Sequence, residues 1–276
     1  MKTLRLPANT KGRDLVVGDM HGHYDDFRQL LDEAEFDPNF DRVLCTGDLV
    51  DRGPDSMKCL ALLNLPWFYS VAGNHELLLV GHIQGLLETG SPQVMECCSL
   101  LERMLNDHAN GAGWLVRSFL LQPSAEYWNE AIELIERLPN LIVVGTGNAR
   151  FHVVHADLFL GETIFDDKTI DSFERYAERG EIKPETLKEL AQQISWNRGL
   201  ANLASHGVPL DSMHEGLSIT FCGHNIVQKP FLAMSHYHLD TGSGHQHRNG
   251  WAEHGLTMAI VENGFPVSTL TTKECA

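Results

Sequence analysis

No Cys-x-x-Cys pair occurs in the 276 residues, which removes the ligand spacing of a zinc ribbon. The six cysteines are Cys45, Cys59, Cys97, Cys98, Cys222 and Cys275. Cys45 and Cys222 lie in apolar runs and read as core residues. Vicinal Cys97-Cys98 reads as two thiols within a helix rather than a redox disulfide. No apolar run is long enough to cross a bilayer, and Met1-Lys2-Thr3-Leu4-Arg5-Leu6-Pro7 lacks the apolar core of a signal peptide. The expectation is a protein of the reducing cytoplasm, without a membrane partner. Cations are also scarce. Lys and Arg number 21 against 37 Asp and Glu, a formal net charge of −16. That excludes a general nucleic-acid surface, because phosphate backbones demand clustered Lys and Arg. Low-complexity tracts and domain boundaries are missing too, so residues 1–276 read as one domain, 43% hydrophobic and able to build a substantial core.

What the chain does have is three stretches of one design. Leu15-Val16-Val17-Gly18-Asp19-Met20-His21-Gly22 is the first. Val43-Leu44-Cys45-Thr46-Gly47-Asp48-Leu49-Val50-Asp51-Arg52-Gly53 is the second, and Tyr69-Ser70-Val71-Ala72-Gly73-Asn74-His75-Glu76 the third. In each, a short apolar run reads as a buried strand that ends in Gly and an oxygen ligand. Glycine lets the backbone turn tightly and approach a bound group, and functional groups in open α/β sheets gather past the strands' carboxyl ends. One Gly-Asp is only a turn. Three in succession, two with His, suggest that Asp19, His21, Asp48 and Asn74 surround a divalent metal.

These motifs resemble the signatures of the PPP branch of the calcineurin-like metallophosphoesterases, with bacterial and lambda-phage-type serine/threonine protein phosphatases the most similar. Pro66-Trp67-Phe68, His155-Ala156-Asp157, Trp196-Asn197-Arg198, Gly223-His224 and Leu239-Asp240-Thr241-Gly242 extend the likeness in the same order. The resemblance implies an α/β fold: a β-sandwich flanked by helices, with mixed sheets, a βαβαβ start and antiparallel C-terminal strands.

Read in order, residues 1–13 are a polar lead-in. Strands are expected at Asp14–Val17, Arg42–Thr46 and Pro66–Val71, separated by helices at Asp25–Glu35 and from Pro54-Asp55-Ser56 to about Leu63, with Asp55 or Ser56 as cap. His75 begins a further helix. Residues 88–140 read as a helical insertion overhanging the site, with helices around Gln93–Asp107 and Ser124–Leu138. The Asn110-Gly111-Ala112-Gly113-Trp114 between them reads as a plain turn. Leu141–Gly145 and Arg150–Val154 form a hairpin over Thr146-Gly147-Asn148. Residues 158–194 are helical in pattern, with Leu187, Leu190 and Ile194 as the buried stripe. Leu217–Cys222 is a strand, and Pro230–Leu239, Leu256–Glu262 and Pro266–Thr271 finish an antiparallel sheet.

By resemblance, Asp19, His21 and Asp48 would bind one metal, and Asp48, Asn74, His155 and His224 a second. His155 and His224 each follow an apolar run directly, as strand-end ligands should. Two divalent ions against Asp19, Asp48 and a hydroxide leave a small positive site in an acidic chain. The implied reaction is direct attack of a metal-bridging hydroxide on phosphorus, with His75 as general acid, Asp51 orienting it, and Arg52 and Arg198 gripping phosphate oxygens. Oxygen and nitrogen ligands without thiolate suit Mn²⁺, Fe and Zn alike; the family likeness favours Mn²⁺.

Three departures from the family pattern stand out. Ala72 replaces an Arg common before Gly-Asn-His-Glu. Gly223-His224-Asn225 replaces Gly-His-Thr. Gly242-Ser243-Gly244-His245-Gln246-His247-Arg248 replaces a more apolar segment. Within the His-rich stretch His236, His238, His245, His247 and His254, His-x-His on a strand puts both rings on one face, and a solvated loop near the mouth is the reading adopted. The expected function is metal-dependent phosphomonoester hydrolysis on phosphoserine and phosphothreonine of proteins or peptides, with phosphotyrosine as a further class. Alternatives are hydrolysis of dinucleoside polyphosphates or RNA 5′ ends, whose enzymes often lack the Asp51 equivalent, and a non-catalytic metal-binding interaction module, supported only by Ala72.

Overall fold

The computed structural model describes residues 1–89, 111–122, 124–160, 163–245 and 255–272. Strands β1 (Thr3–Leu6), β2 (Asp14–Val17), β3 (Arg42–Cys45) and β4 (Phe68–Ser70) open the chain, with helices α1 (Tyr24–Glu33) and α2 (Ser56–Ala61) joining the last three. β2, β3 and β4 pair in parallel, the βαβαβ start expected from the sequence. Helices α3 (Asn74–Thr89), α4 (Trp114–Leu121) and α5 (Ala125–Arg137) follow, then the antiparallel hairpin β5 (Leu141–Val144) and β6 (Phe151–Val154). After the short hairpin β7 (Phe159–Leu160) and β8 (Thr163–Ile164) come helices α6 (Asp167–Glu178), α7 (Pro184–Trp196) and α8 (Gly199–Ser205). The chain closes with β9 (Ile219–Cys222), β10 (Phe231–Ala233), β11 (His236–His238), β12 (Thr257–Glu262) and β13 (Phe265–Thr271).

The strands form two mixed sheets, ordered β1-β5-β6-β9-β11-β10 and β13-β12-β2-β3-β4. Side chains alternate across a strand, and that alternation builds four layers. Val16 and Leu44 meet Ile142, Val144, Phe151 and Phe221 between the sheets. On the outer face of the second sheet, Leu15, Val17 and Val43 pack against Phe27, Leu79, Leu115 and Trp128. On the outer face of the first, Leu141, Val143 and Val154 pack against Ile170 and Ile194. Burying one such side chain contributes about 1.5–3 kcal/mol.

Several expectations need correction. The polar lead-in contains β1, which pairs in parallel with β5. Its Leu4 and Leu6 pack into the layer between the sheets, while charged neighbours hide the strand in the sequence. The C-terminal strands do not form one antiparallel sheet: β11 runs parallel to β9, whereas β12 pairs antiparallel with β2 in the other sheet. Pro230–Leu239 is not one strand but the hairpin β10–β11, turned at Met234 and Ser235 in the left-handed region (φ 49° and 66°). Of the stretch read as a plain turn, residues 111–113 form one, while Trp114 already begins helix α4. Of the expected stripe, Ile194 is buried, and Leu187 and Leu190 only partly. Asp55 occupies the α2 cap position without a side-chain capping bond. The helix expected around Gln93–Asp107 lies outside the described residues. Among the described residues, no helix is long and apolar enough to cross a membrane.

Candidate metal centre

The carboxyl ends of β2, β3, β4, β6 and β9 converge on one cleft of about 360 Å³ lined by Asp19, His21, Asp48, Asn74 and His224, with His155 fully buried against Asp48 and Asn74. Backbone hydrogen bonds knit the loops together. The amides of Met20 and His21 donate to the Asp48 carbonyl (3.0 and 2.8 Å), and that of Gly22 to Leu49 (2.8 Å). Two glycines permit the approach: a Cβ at Gly73 would stand 2.2 Å from Asp48 Oδ1, and one at Gly223 1.8 Å from Asp19 Oδ1. His21, Asp48, Asp51, Arg52 and His224 all hold left-handed φ angles between 43° and 73°. Non-glycine residues enter that region at a cost, and such strain gathers at functional sites.

Asp19, His21, Asp48, Asn74, His155 and His224 are all buried. His21 Nδ1 is fixed on the Val50 carbonyl (3.0 Å) and His155 Nδ1 on the Thr46 carbonyl (2.8 Å). Each ring therefore donates through Nδ1 and turns an Nε2 lone pair inward, an arrangement suited to metal ligands. His21 Nε2 lies 3.6 Å from Asp48 Oδ2, and His155 Nε2 lies 3.4 Å from Asp48 Oδ1 and 2.9 Å from Asn74 Oδ1. His224 Nε2 is buried without a hydrogen-bond partner. Two trios, His21/Asp48/His75 and Asp48/His155/His224, each bring their donor atoms within 4.8 Å of one another, and Asp48 belongs to both. Asp19 is in neither trio. It accepts from Thr46 Oγ1 and the His224 amide (both 2.8 Å) on the adjoining wall.

Burial pushes the imidazoles of His21 and His155 down, and that of His224 down to about 3. Burial also opposes ionisation of Asp48, but the rings of His155, His75 and His21 outweigh it and hold the carboxyl below its ordinary range. His75 differs from the other rings: burial lowers its pKa, yet Asp48 and Asp51 outweigh that and raise it. Neutral imidazoles, a carboxylate held ionised and an orphaned Nε2 make a donor set that fits divalent cations. The Arg52 guanidinium reaches into it, donating to His21 Nε2 and lying 3.1 Å from His75 Nε2.

His75 Nδ1 meets Asp51 Oδ2 at 2.6 Å, the pairing expected from the sequence. Arg52 and Arg198 both line the cleft, and Arg198 Nη1 donates to Asn225 Oδ1 (3.2 Å). Ala72 is buried, its amide bonded to the Pro139 carbonyl (2.8 Å), and is not among the residues lining the cleft.

The sequence reading missed several participants. Glu76 accepts from the amides of Asp48, Leu49 and Gly73 (2.8, 2.7 and 2.9 Å). Its place in Gly-Asn-His-Glu was visible, its role was not. Asp240, whose carboxyl burial pushes up to about 6, lines the cleft and accepts from the Gly242 amide (2.9 Å). His245 is not a solvated loop residue: it is buried on the cleft wall, 3.4 Å from Arg52 Nη1. His236 and His238 are buried as well. His236 accepts from the Leu158 amide (3.0 Å), and His238 stacks on Phe231. His247 and His254 lie outside the described residues.

A family model for calcineurin-like phosphoesterases matches residues 13–249. Serine/threonine-protein phosphatase 2 of Escherichia coli (strain K12) is 34% identical over 160 residues, 57% of this chain and 64% of that protein. The matched stretch thus spans just under two thirds of that relative. A symmetrical bis(5′-nucleosyl)-tetraphosphatase of Glaesserella parasuis is 42% identical over 73 residues, 26% of this chain and 27% of that protein. A solved structure provisionally named a diadenosine tetraphosphatase superposes with a TM-score of 0.60 at 20% identity, covering 98% of this chain and 97% of that one. At that identity the likeness speaks for the fold alone.

Proposed function

The chain belongs to the calcineurin-like phosphoesterase family, and on that premise we propose that it hydrolyses phosphomonoesters of alcohols, with phosphoserine and phosphothreonine of proteins or peptides as substrates. The observation that carries this reading is the His75–Asp51 pair at 2.6 Å, with His75 on the cleft wall and Asp51 buried. A serine or threonine alkoxide is strongly basic and gains from protonation as it leaves, whereas a nucleotide phosphate departs as a stable anion. A preserved acid pair therefore favours an alcohol phosphate.

Asp19, His21 and Asp48 would hold one divalent ion, and Asp48, Asn74, His155 and His224 the other, with Mn²⁺ favoured. When bound, such ions polarise phosphoryl oxygens and make water a nucleophile near neutral pH. The protein's own groups do the rest. Arg52 and Arg198 take phosphate oxygens, and Glu76 holds the loops that carry Asp48 and Asn74. The P–O bond to the leaving group breaks with its electron pair going to that oxygen, which takes the proton from His75 Nε2. Asp51 keeps the ring turned toward it.

Hydrolysis of dinucleoside polyphosphates is the second reading. Trp196, 40% exposed on the cleft wall beside Ile226, offers a face on which a base could stack. The test is a paired rate assay on metal-stripped protein, using a phosphothreonine peptide and diadenosine tetraphosphate, each with and without Mn²⁺. We expect Mn²⁺-dependent phosphate release from the peptide, lost in His75→Asn. Turnover of the dinucleotide alone would transfer the function to nucleotides.

A further inference from the structure

We propose that Trp114, the first residue of α4, is a positioning residue for the His75 acid, acting through Asp51. The inference rests on the phosphomonoesterase reading above. Asp51 has two carboxylate oxygens and a donor on each: His75 Nδ1 at 2.6 Å on Oδ2 and Trp114 Nε1 at 2.7 Å on Oδ1. The carboxylate is 1% exposed, so water does not supply a substitute donor. Its backbone is in the left-handed region (φ 73°) and is held by the Asp51 amide on Ser56 Oγ (3.0 Å). Without the indole, the buried Oδ1 loses its partner and the carboxylate is free to rotate away from the imidazole.

The turn just before α4 grips the next residue. The Arg52 amide donates to the Gly111 carbonyl (3.1 Å). Gly111 has φ 94°, and a Cβ there would stand 2.9 Å from the Arg52 amide nitrogen and Cγ. Ala112, between the two contacts, is fully buried. Two bonds, one from this turn and one from the first residue of α4, thus fix both halves of the Asp51-Arg52 pair, one aiming the acid and the other seating the Arg52 guanidinium. Trp114 is not among the residues lining the cleft, and its effect should pass entirely through His75.

The test uses Trp114→Phe, which removes the N–H and keeps the ring that packs on the core. Phenyl phosphate and p-nitrophenyl phosphate are both aryl phosphates, and the nitro group of the second makes its leaving oxygen much less basic. Wild type, W114F, H75N and the double variant are compared on both, with Mn²⁺ content measured for each. We expect W114F to lose about tenfold more rate on phenyl phosphate than on p-nitrophenyl phosphate, with metal content retained. In the H75N background the substitution should add no further discrimination, because residues acting as a unit are not additive. An equal loss on both substrates, no loss, or discrimination that persists in H75N would overturn the assignment. A wild type silent on both substrates would overturn the phosphomonoesterase reading, and this proposal with it.

Discussion

Glu76 clamps Asp48 from behind: its Oε2 accepts the Asp48 amide at 2.8 Å, while its Oε1 takes the neighbouring Leu49 amide at 2.7 Å. The third bond, from Gly73, ties in the loop that carries Asn74. One buried carboxylate therefore sets the spacing between two ligand loops. Burial, with Asp48 nearby, raises its pKa to about 7. Glu76→Gln keeps the volume but turns an NH₂ group toward an amide donor. We expect a stability loss of about 1–3 kcal/mol and a drop in metal affinity of about 10- to 100-fold, read by urea denaturation and Mn²⁺ titration. Unchanged metal affinity would reduce Glu76 to a purely structural brace.

Asp48 is the residue common to both donor trios. Asp48→Asn removes its charge and one acceptor, and leaves His155 Nε2 and His21 Nε2 facing an amide. If the proposed centre holds two Mn²⁺, the expected outcome is a fall in Mn²⁺ stoichiometry from about two per chain in wild type toward zero in the variant. Retention of one tightly bound ion would show that the two sites fill independently.

Much of this candidate centre was legible because its proposed ligands sit where strands end. A short apolar run, a glycine and a polar residue form a local pattern, and Asp19, Asp48 and Asn74 could be read from it. What could not be read depends on distance along the chain. Trp114 meets Asp51 across 63 positions and His245 meets Arg52 across 193. Neither partner has a local signature. The two-sheet division was hidden for the same reason, since β12 joins β2 only by long-range pairing. β1 escaped because Thr3-Leu4-Arg5-Leu6, with only two apolar residues between Lys2 and Pro7, is too short to stand out from a loop.

Three histidines outside the cleft set a pH dependence of stability. Burial lowers the pKa of His152 to about 3, of His236 to about 4 and of His238 to about 3. In the unfolded chain an imidazole titrates near about 6.5. Between these values the unfolded chain takes up protons that the native one does not. Their stabilising contribution is therefore complete above about pH 6.5 and is lost as pH falls toward 3. Each adds a slope of about 1.4 kcal/mol per pH unit within its window. His152 takes a hydrogen bond from Arg150 Nε (3.0 Å) and lies 3.2 Å from Thr220 Oγ1. In His152→Gln, urea midpoints between pH 6 and pH 4.5 should fall less steeply, by one group's share. An unchanged slope would place the proton uptake elsewhere.

Arg198 reaches the cleft with its guanidinium steadied by Asn225, whose Nδ2 in turn donates to the Asn197 carbonyl (3.2 Å). Asn225 can do both because its side chain carries an acceptor and a donor. The guanidinium fork suits two phosphate oxygens at once, a geometry that an ammonium cannot copy. Arg198→Lys should therefore weaken inhibition by inorganic phosphate by about tenfold, equivalent to about 1.4 kcal/mol, and raise KM more than it lowers kcat. Asn225→Ala should produce a smaller change in the same direction, because it frees the side chain without removing its charge. If phosphate inhibition were unaltered in both variants, Arg198 would be a wall residue and Arg52 the sole guanidinium on the phosphate.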